Sequence, residues 1–126
     1  ESLSDRAPWD PATETGGELT YARPGIGLQT LRKLRRGHWV VQGELDLPGC
    51  TVAEARETLV QFLDQCERRA LRCVRIIHGK GRGSHQGEPV LKGLLRKWLV
   101  RADVLAFSQA PANQGGSGAV LVLLKR

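Results

Sequence analysis

The sequence predicts an α/β fold of the two-layer (α+β) type, in which helices pack on a mixed four-stranded sheet. Two observations indicate this class. Short runs of branched apolar residues alternate with longer segments whose apolar residues recur every three or four positions. These segments follow the order β-α-β-α-β-β, and a strand–helix–strand connection is right-handed and makes its two strands parallel.

Residues 1–22 are predicted to form a disordered acidic tail. The first 18 residues contain five acids, one base, two prolines and two glycines, and their apolar residues have no period. Their net charge is −4, whereas the whole chain has a net charge of +6 and a pI of about 9.8. The rest of the chain therefore has a charge of +10, which favours a polyanionic partner such as nucleic acid.

Residues 23–43 are predicted to form a basic arm with one short helix. A turn at residues 23–25 precedes the helix, whose leucines share one side, and Gly37 lies where it should end. These leucines are Leu28, Leu31 and Leu34. The other sides of the helix hold cations without any acid, and we regard them as candidate nucleic-acid contacts: Arg32, Lys33, Arg35 and Arg36.

Residues 44–126 are predicted to form the main domain. Its first strand, Glu44–Leu47, ends at a Pro-Gly turn, and Thr51 with Glu54 then has the spacing of a helix capping box. A second strand, Cys73–Ile77, runs into a glycine-rich loop, and a second helix begins near Pro89. The last two predicted strands are Val104–Gln109 and Ala119–Leu124.

Composition argues against several other classes of protein. The longest apolar run is too short to span a bilayer, and the N-terminus lacks the pattern of a signal peptide. Three cysteines without C-x-x-C spacing predict neither a disulfide framework nor a zinc site. We therefore expect a cytoplasmic protein, monomeric in preference to oligomeric, with no cofactor, no metal and no membrane partner.

The loop from His78 to Ser84 is the most informative local feature. Its glycines let backbone N–H groups approach a phosphate, and its two cations supply charge, although the spacing is not that of a Walker loop. The candidate phosphate-binding residues are Gly79, Lys80, Gly81 and Arg82. The alternative is that this segment is only a turn between a strand and a helix.

Two candidate catalytic residues, Asp46 and His78, fall at the carboxyl ends of the two parallel strands. Ligands of open α/β sheets bind at that edge. His78 could act as a general acid or base on a phosphodiester, with Asp46 orienting its imidazole. The alternatives are a structural histidine and a carboxylate that caps a turn.

Three ordered segments resemble the motifs of the Smr domain family. They are Leu45-Asp46-Leu47-Pro48-Gly49, His78-Gly79-Lys80-Gly81 and Gly115-Gly116-Ser117-Gly118-Ala119. The resemblance covers about residues 44–124, and residues 23–39 are similar to the arm of stand-alone bacterial members. It implies a fold like the C-terminal domain of translation initiation factor 3 and binding to DNA or RNA. Members of the family include nicking endonucleases and an endonuclease that cuts mRNA at collided ribosomes.

The resemblance also implies which residues act. Asp46, His78, Gly79, Lys80 and Gly81 occupy functional motif positions, and Gly116 of the third motif joins the nucleic-acid-binding set. Pro48 departs from the family, whose first motif usually has a histidine there. Proline has no ionisable group, so this departure bears on cleavage but not directly on binding.

Three hypotheses of function follow. The first, which we favour, is an endonuclease in which His78 activates a nucleophile, either water or an RNA 2′-hydroxyl, and Lys80 stabilises the developing charge on phosphorus. The second is a non-catalytic module that binds RNA, DNA or a ribosome, favoured by Pro48. The third is a protein adaptor that uses the leucine face of the arm and whose affinity would be insensitive to salt. Trp39 either stacks on a base or anchors the arm, and anchoring is favoured.

Overall fold

The computed structural model describes residues 18–79 and 87–125. The predicted fold class is confirmed, with three helices and a mixed sheet in this part of the chain. The strands are β1 (Thr20–Ala22), β2 (Gly43–Asp46), β3 (Cys73–Ile77), β4 (Ala106–Gln109) and β5 (Ala119–Leu123). The helices are α1 (Leu28–Arg35), α2 (Val52–Arg68) and α3 (Gly87–Arg101), and two short 3₁₀ turns lie between β4 and β5.

The strands form one sheet in the order β1-β4-β5-β3-β2. β2 and β3 are parallel, as predicted for strands joined by a helix, and Asp46 lies opposite Ile77. All other pairs are antiparallel. The carboxyl ends of β2, β3 and β4 and the amino end of β5 consequently meet at one edge.

The sheet has five strands rather than the predicted four, because β1 lies within the segment predicted as a disordered tail. Thr20–Ala22 pairs antiparallel with β4. Leu19 is buried, and the ring of Tyr21 stacks on that of Phe107 with centroids 5.2 Å apart. A strand of three residues has no detectable period, and these tertiary contacts, rather than local propensity, stabilise it.

The sheet is covered on both faces. α2 and α3 pack on one face, which we call the α2/α3 face, through the side chains Ala55, Leu59, Leu91, Leu95 and Leu99. α1 packs on the other face, the α1 face, through Leu34 and, partly, Leu31, with Trp39 and Val41 beside them. No helix among residues 18–79 and 87–125 has the length and apolarity needed to cross a bilayer.

Local signals account for the ends of two helices. Thr51 and Glu54 form the predicted capping box, with side chain–backbone distances of 2.9 and 3.1 Å. α1 ends as predicted at Gly37, whose φ of +76° is the left-handed conformation, and the N–H of His38 donates to the carbonyl of Lys33. Of the three leucines that share one side of α1, Leu28 is 61% exposed, at the first turn.

The arm should unfold together with the rest of the domain, since α1 covers one face of the sheet. We expect Leu34→Ala to lower the free energy of unfolding by about 3 kcal/mol, because Leu34 is fully buried. Leu28→Ala is the matched control in the same helix and should cost less than about 0.5 kcal/mol. Urea unfolding followed by circular dichroism measures both. Equal, small effects would mean that the arm is not docked in solution.

Candidate nucleic-acid interface

The three sequence motifs meet at one edge of the sheet. The N–H of Leu47 donates to the carbonyl of Ile77 at 2.9 Å, which joins the ends of β2 and β3. The N–H groups of His78 and Gly79 both donate to the carbonyl of Gly118, at 2.9 and 3.0 Å. We call this edge the motif rim and define it as residues 46–50, 78–79 and 111–118. The predicted convergence of the two strand ends is confirmed.

Four glycines of the motif rim have a positive φ, and Gly79 and Gly115 are two of them. Gly79 has a φ of +91°, and Gly115 has a φ of +116°. A Cβ atom at Gly115 would also lie 2.7 Å from the Cβ of Ala119. Gly116, a predicted binding residue, has nothing within 4 Å of the position of a Cβ atom, so a ligand can approach its backbone closely.

His78 is buried at the motif rim rather than presented to solvent. Only 2% of the residue is exposed, and its Nδ1 lies 2.9 Å from the carbonyl oxygen of Gly79. Because a carbonyl oxygen only accepts, Nδ1 is the protonated nitrogen of the neutral ring. Burial, followed by the positive charge of Lys92, lowers the pKa of His78 to about 4, and the hydrogen bond to Gly79 opposes this shift. The imidazole is therefore neutral at pH 7.

Asp46 does not orient the imidazole of His78, contrary to the sequence-based expectation. The two residues lie at the same edge, but no hydrogen bond joins their side chains, which both belong to the described part of the chain. Asp46 is exposed and lies opposite Ile77, which packs on the α1 face. Side chains alternate between faces along a strand, so His78, the next residue after Ile77, turns to the α2/α3 face. The pleat of the sheet separates the predicted pair.

The basic arm contacts the motif rim at the end of α1. A Cβ atom at Gly37 would lie 3.0 Å from Nε2 of Gln114 and 3.8 Å from Cγ of Pro111. Arg75 then ties this loop to the sheet, because its Nη1 donates to the carbonyl of Gln114 at 3.2 Å while its guanidinium pairs with Glu44. Sequence reasoning missed Arg75 and Gln114. Arg75 could have been found from the sequence, because it is a lone cation inside an apolar strand. No feature of the sequence pointed to Gln114.

The predicted cations of α1 lie on its outer surface. Arg32 and Arg36 are exposed and Lys33 is half-buried. Within residues 18–79 and 87–125, none of these three forms an ion pair. Arg35 pairs with Glu18 at 3.3 Å and lies 3.4 Å from Oγ1 of Thr20. The end of the arm is thus a cluster of guanidinium and ammonium groups beside the motif rim, a surface suited to phosphate.

The remaining predicted residues separate into two groups. Lys80, Gly81 and Arg82 lie outside the described residues, as does the glycine-rich loop that they belong to. Trp39 is half-buried against the core of the α1 face, and its ring meets that of His38 edge-on at 4.9 Å. This packing fits the anchoring role that the sequence favoured.

Among the described residues there is no group of three or more side chains suited to hold a metal ion.

Comparison with known proteins identifies similar sequences and folds. The profile of the Smr domain matches residues 45–125. The chain is 34% identical over 119 residues to a ribosome rescue factor SmrB of Tolumonas auensis, covering 94% of this chain and 65% of that protein. It is 38% identical over 117 residues to the SmrB of Pectobacterium atrosepticum, covering 92% and 62%. The chain thus spans less than two thirds of the length of these relatives.

Two solved structures are similar in both fold and sequence. YdaL, a stand-alone small MutS-related protein from Escherichia coli, has a TM-score of 0.78 and 34% identity, with 89% of this chain and 86% of YdaL covered. The Smr domain of Thermus thermophilus MutS2 has a TM-score of 0.58 and 36% identity, with 68% of this chain and 100% of that domain covered. The first match includes more of the chain than the second.

The buried, neutral state of His78 should make stability depend on pH. Since its pKa in the folded chain, about 4, lies below the ordinary 6.5, the unfolded chain takes up the proton first. The stabilisation is complete above pH 6.5 and is lost as the pH falls toward 4, by about 3 kcal/mol. Urea unfolding between pH 4 and pH 7 should show this dependence in the wild type and in the control His38→Gln, but not in His78→Gln. The same pH dependence in all three proteins would show that the burial of neutral His78 is not its cause.

Proposed function

The chain belongs to the Smr domain family, and on this basis we propose that it binds RNA through the motif rim and the cationic end of α1. The names of the SmrB relatives refer to ribosome rescue, so we propose ribosome-associated RNA as the ligand and the cytoplasm as the location. The proposal concerns binding. Endonucleolytic cleavage is a second candidate function.

One observation supports this proposal above the others: the cation cluster of α1 abuts the motif rim. The close approach of Gly37 to Gln114 makes the two surfaces continuous, so one phosphate chain can contact both. Docking of α1 on the sheet also fixes the backbone that holds the cations before any ligand arrives, which reduces the entropy lost on binding. A protein adaptor that uses the leucines of α1 is disfavoured, because Leu34 is buried in this chain's own core.

Binding without cleavage fits the geometry of the two candidate catalytic residues. A general base must reach the proton that it removes, and the imidazole of His78 is buried and hydrogen-bonded within its own loop. Pro48 has no ionisable group, so it cannot act as the general base in place of His78. The backbone of the 78–79 segment, tied to Gly118, is then a support for the rim rather than a source of protons.

The second candidate function is endonucleolytic cleavage, and the exposure of Asp46 favours it. Its carboxylate lies at the motif rim, two residues before the exposed Pro48, and pairs with no cation among the described residues. A carboxylate in this position could accept a proton from a nucleophile on bound RNA.

Removing the α1 cations should weaken RNA binding and its dependence on salt. For the triple variant Arg32→Gln, Lys33→Gln, Arg36→Gln we expect affinity for a labelled single-stranded RNA to fall about 10- to 100-fold at 100 mM salt. The slope of log K against log salt should fall by about 2, because fewer counterions are released. Fluorescence anisotropy over a salt series measures both quantities.

A matched control removes the same charge from the α2/α3 side of the molecule. The substitutions Arg56→Gln, Arg68→Gln and Arg69→Gln change exposed cations of α2 and its C-cap. We expect less than about a threefold loss from them, by long-range charge alone. Equal losses in both triple variants would reject the α1 surface as the binding site.

Restoring the family histidine should separate binding from cleavage. We expect the wild type to bind RNA without cutting it and Pro48→His to gain cleavage by about 100-fold or more, since a general acid or base contributes about that much. Adding Asp46→Asn to Pro48→His should abolish the gain. Gel analysis of end-labelled RNA is the measurement. Cleavage by the wild type that Asp46→Asn abolishes would instead establish the endonuclease.

A further inference from the structure

His38 presents an aromatic ring at the surface where the arm meets the motif rim. The residue is exposed and follows Gly37, whose close approach to Gln114 joins α1 to that rim. Within residues 18–79 and 87–125, the imidazole of His38 forms no hydrogen bond or ion pair. The proposed function uses the cations of this surface and leaves the ring without a role.

The position of His38 is fixed by its backbone and by the next side chain. Its N–H donates to the carbonyl of Lys33 at 2.9 Å, in the turn that ends α1. Its ring meets that of Trp39 edge-on, with centroids 4.9 Å apart and an angle of 86° between the two planes. Trp39 is itself packed against the core of the α1 face. The imidazole therefore lies on a side chain that the core holds in place.

The edge-on contact leaves a flat surface of the imidazole available to a ligand. Such a contact covers one face of one of the two rings at most, so at least one face of the imidazole stays uncovered by Trp39. A nucleic-acid base stacks on an aromatic face of this kind, and histidine is among the side chains that RNA-binding proteins use for stacking. The ring of His38 thus suits a planar ligand.

The charges beside the ring indicate that this planar ligand is a nucleotide. Lys33 and Arg36 belong to the last turn and the C-cap of α1, just before His38 in the chain. Neither of the two cations forms an ion pair with another residue of the described ranges. A phosphate bound by these cations leaves its base free to turn toward the imidazole. Paired RNA keeps its bases inside the helix, so only an unpaired base can stack on this ring.

We propose that His38 is a stacking site for an unpaired RNA base, supported by Trp39 and flanked by the cations of α1. This subsite rests on the proposed function of the same surface and adds selectivity to it. Phosphate contacts carry no direct information on the bases, whereas stacking requires a base that has left its own helix. The imidazole therefore selects for single-stranded segments and loops of RNA.

Three substitutions in the full chain separate the flat face of the ring from its charge. His38→Ala removes both, His38→Phe keeps an aromatic face that cannot be charged, and His38→Lys keeps a charge without a face. We expect affinity for a labelled single-stranded RNA to fall about five- to tenfold in the Ala and Lys variants and to stay within about twofold of the wild type in the Phe variant. Fluorescence anisotropy measures the four affinities. Loss in the Ala and Phe variants with recovery in the Lys variant would show a charge contact and overturn the stacking site.

A second RNA tests whether unpaired bases are required. The loss caused by His38→Ala should disappear on a blunt-ended RNA duplex. The slope of log K against log salt should be the same for the Ala and Phe variants, because stacking releases no counterions. Equal losses on single-stranded and duplex RNA would contradict a stacked base.

The wild type distinguishes failure of the stacking site from failure of the proposed function. If it binds neither RNA, the proposed function fails, and the stacking site that depends on it fails too. If it binds single-stranded RNA with the same affinity as all three variants, the stacking site alone is rejected.

Discussion

The burial of β5 on both faces is the constraint on which the rest of the structure depends. All five residues from Ala119 to Leu123 are buried, with Val120 and Val122 facing α2 and α3, and Leu121 facing α1. A strand of this kind is stable only when both faces of its sheet are covered. The basic arm is therefore a structural layer of the domain, and the position of its cations follows from the docking of α1.

Docking of α1 also determines how the proposed binding surface is assembled. Leu34 is buried against the sheet, so the opposite side of α1 must face solvent. That side of the helix holds the cations. The helix ends at Gly37 beside the loop that contains Gln114, and Arg75 fixes this loop to β3. Apolar packing on one side of a single helix thus orients a charged surface on its other side, without any contact that is specific to a ligand.

The sequence was sufficient to predict the fold class, the capping box at Thr51, the parallel β2–β3 pair and the meeting of the first two motifs at one edge. Each depends on a local pattern or a chain-direction rule. It was insufficient for β1, whose three residues are held by tertiary contacts of Leu19 and Tyr21. It also led to a wrong pairing of Asp46 with His78. The chain-direction rule places two strand ends together, but register and pleat decide which face each side chain occupies.

The environment of His78 indicates a structural role for the second motif. Its peptide N–H and that of Gly79 converge on the carbonyl of Gly118, and its imidazole closes a hydrogen bond within the same turn. The two backbone bonds join the second motif to the third, and burial keeps the ring neutral by lowering the pKa of His78. A solvated catalytic histidine requires the opposite environment. The open space at Gly116 and the cations of α1 beside the motif rim suit the proposed phosphate binding, so in this proposal support and recognition rest on different residues.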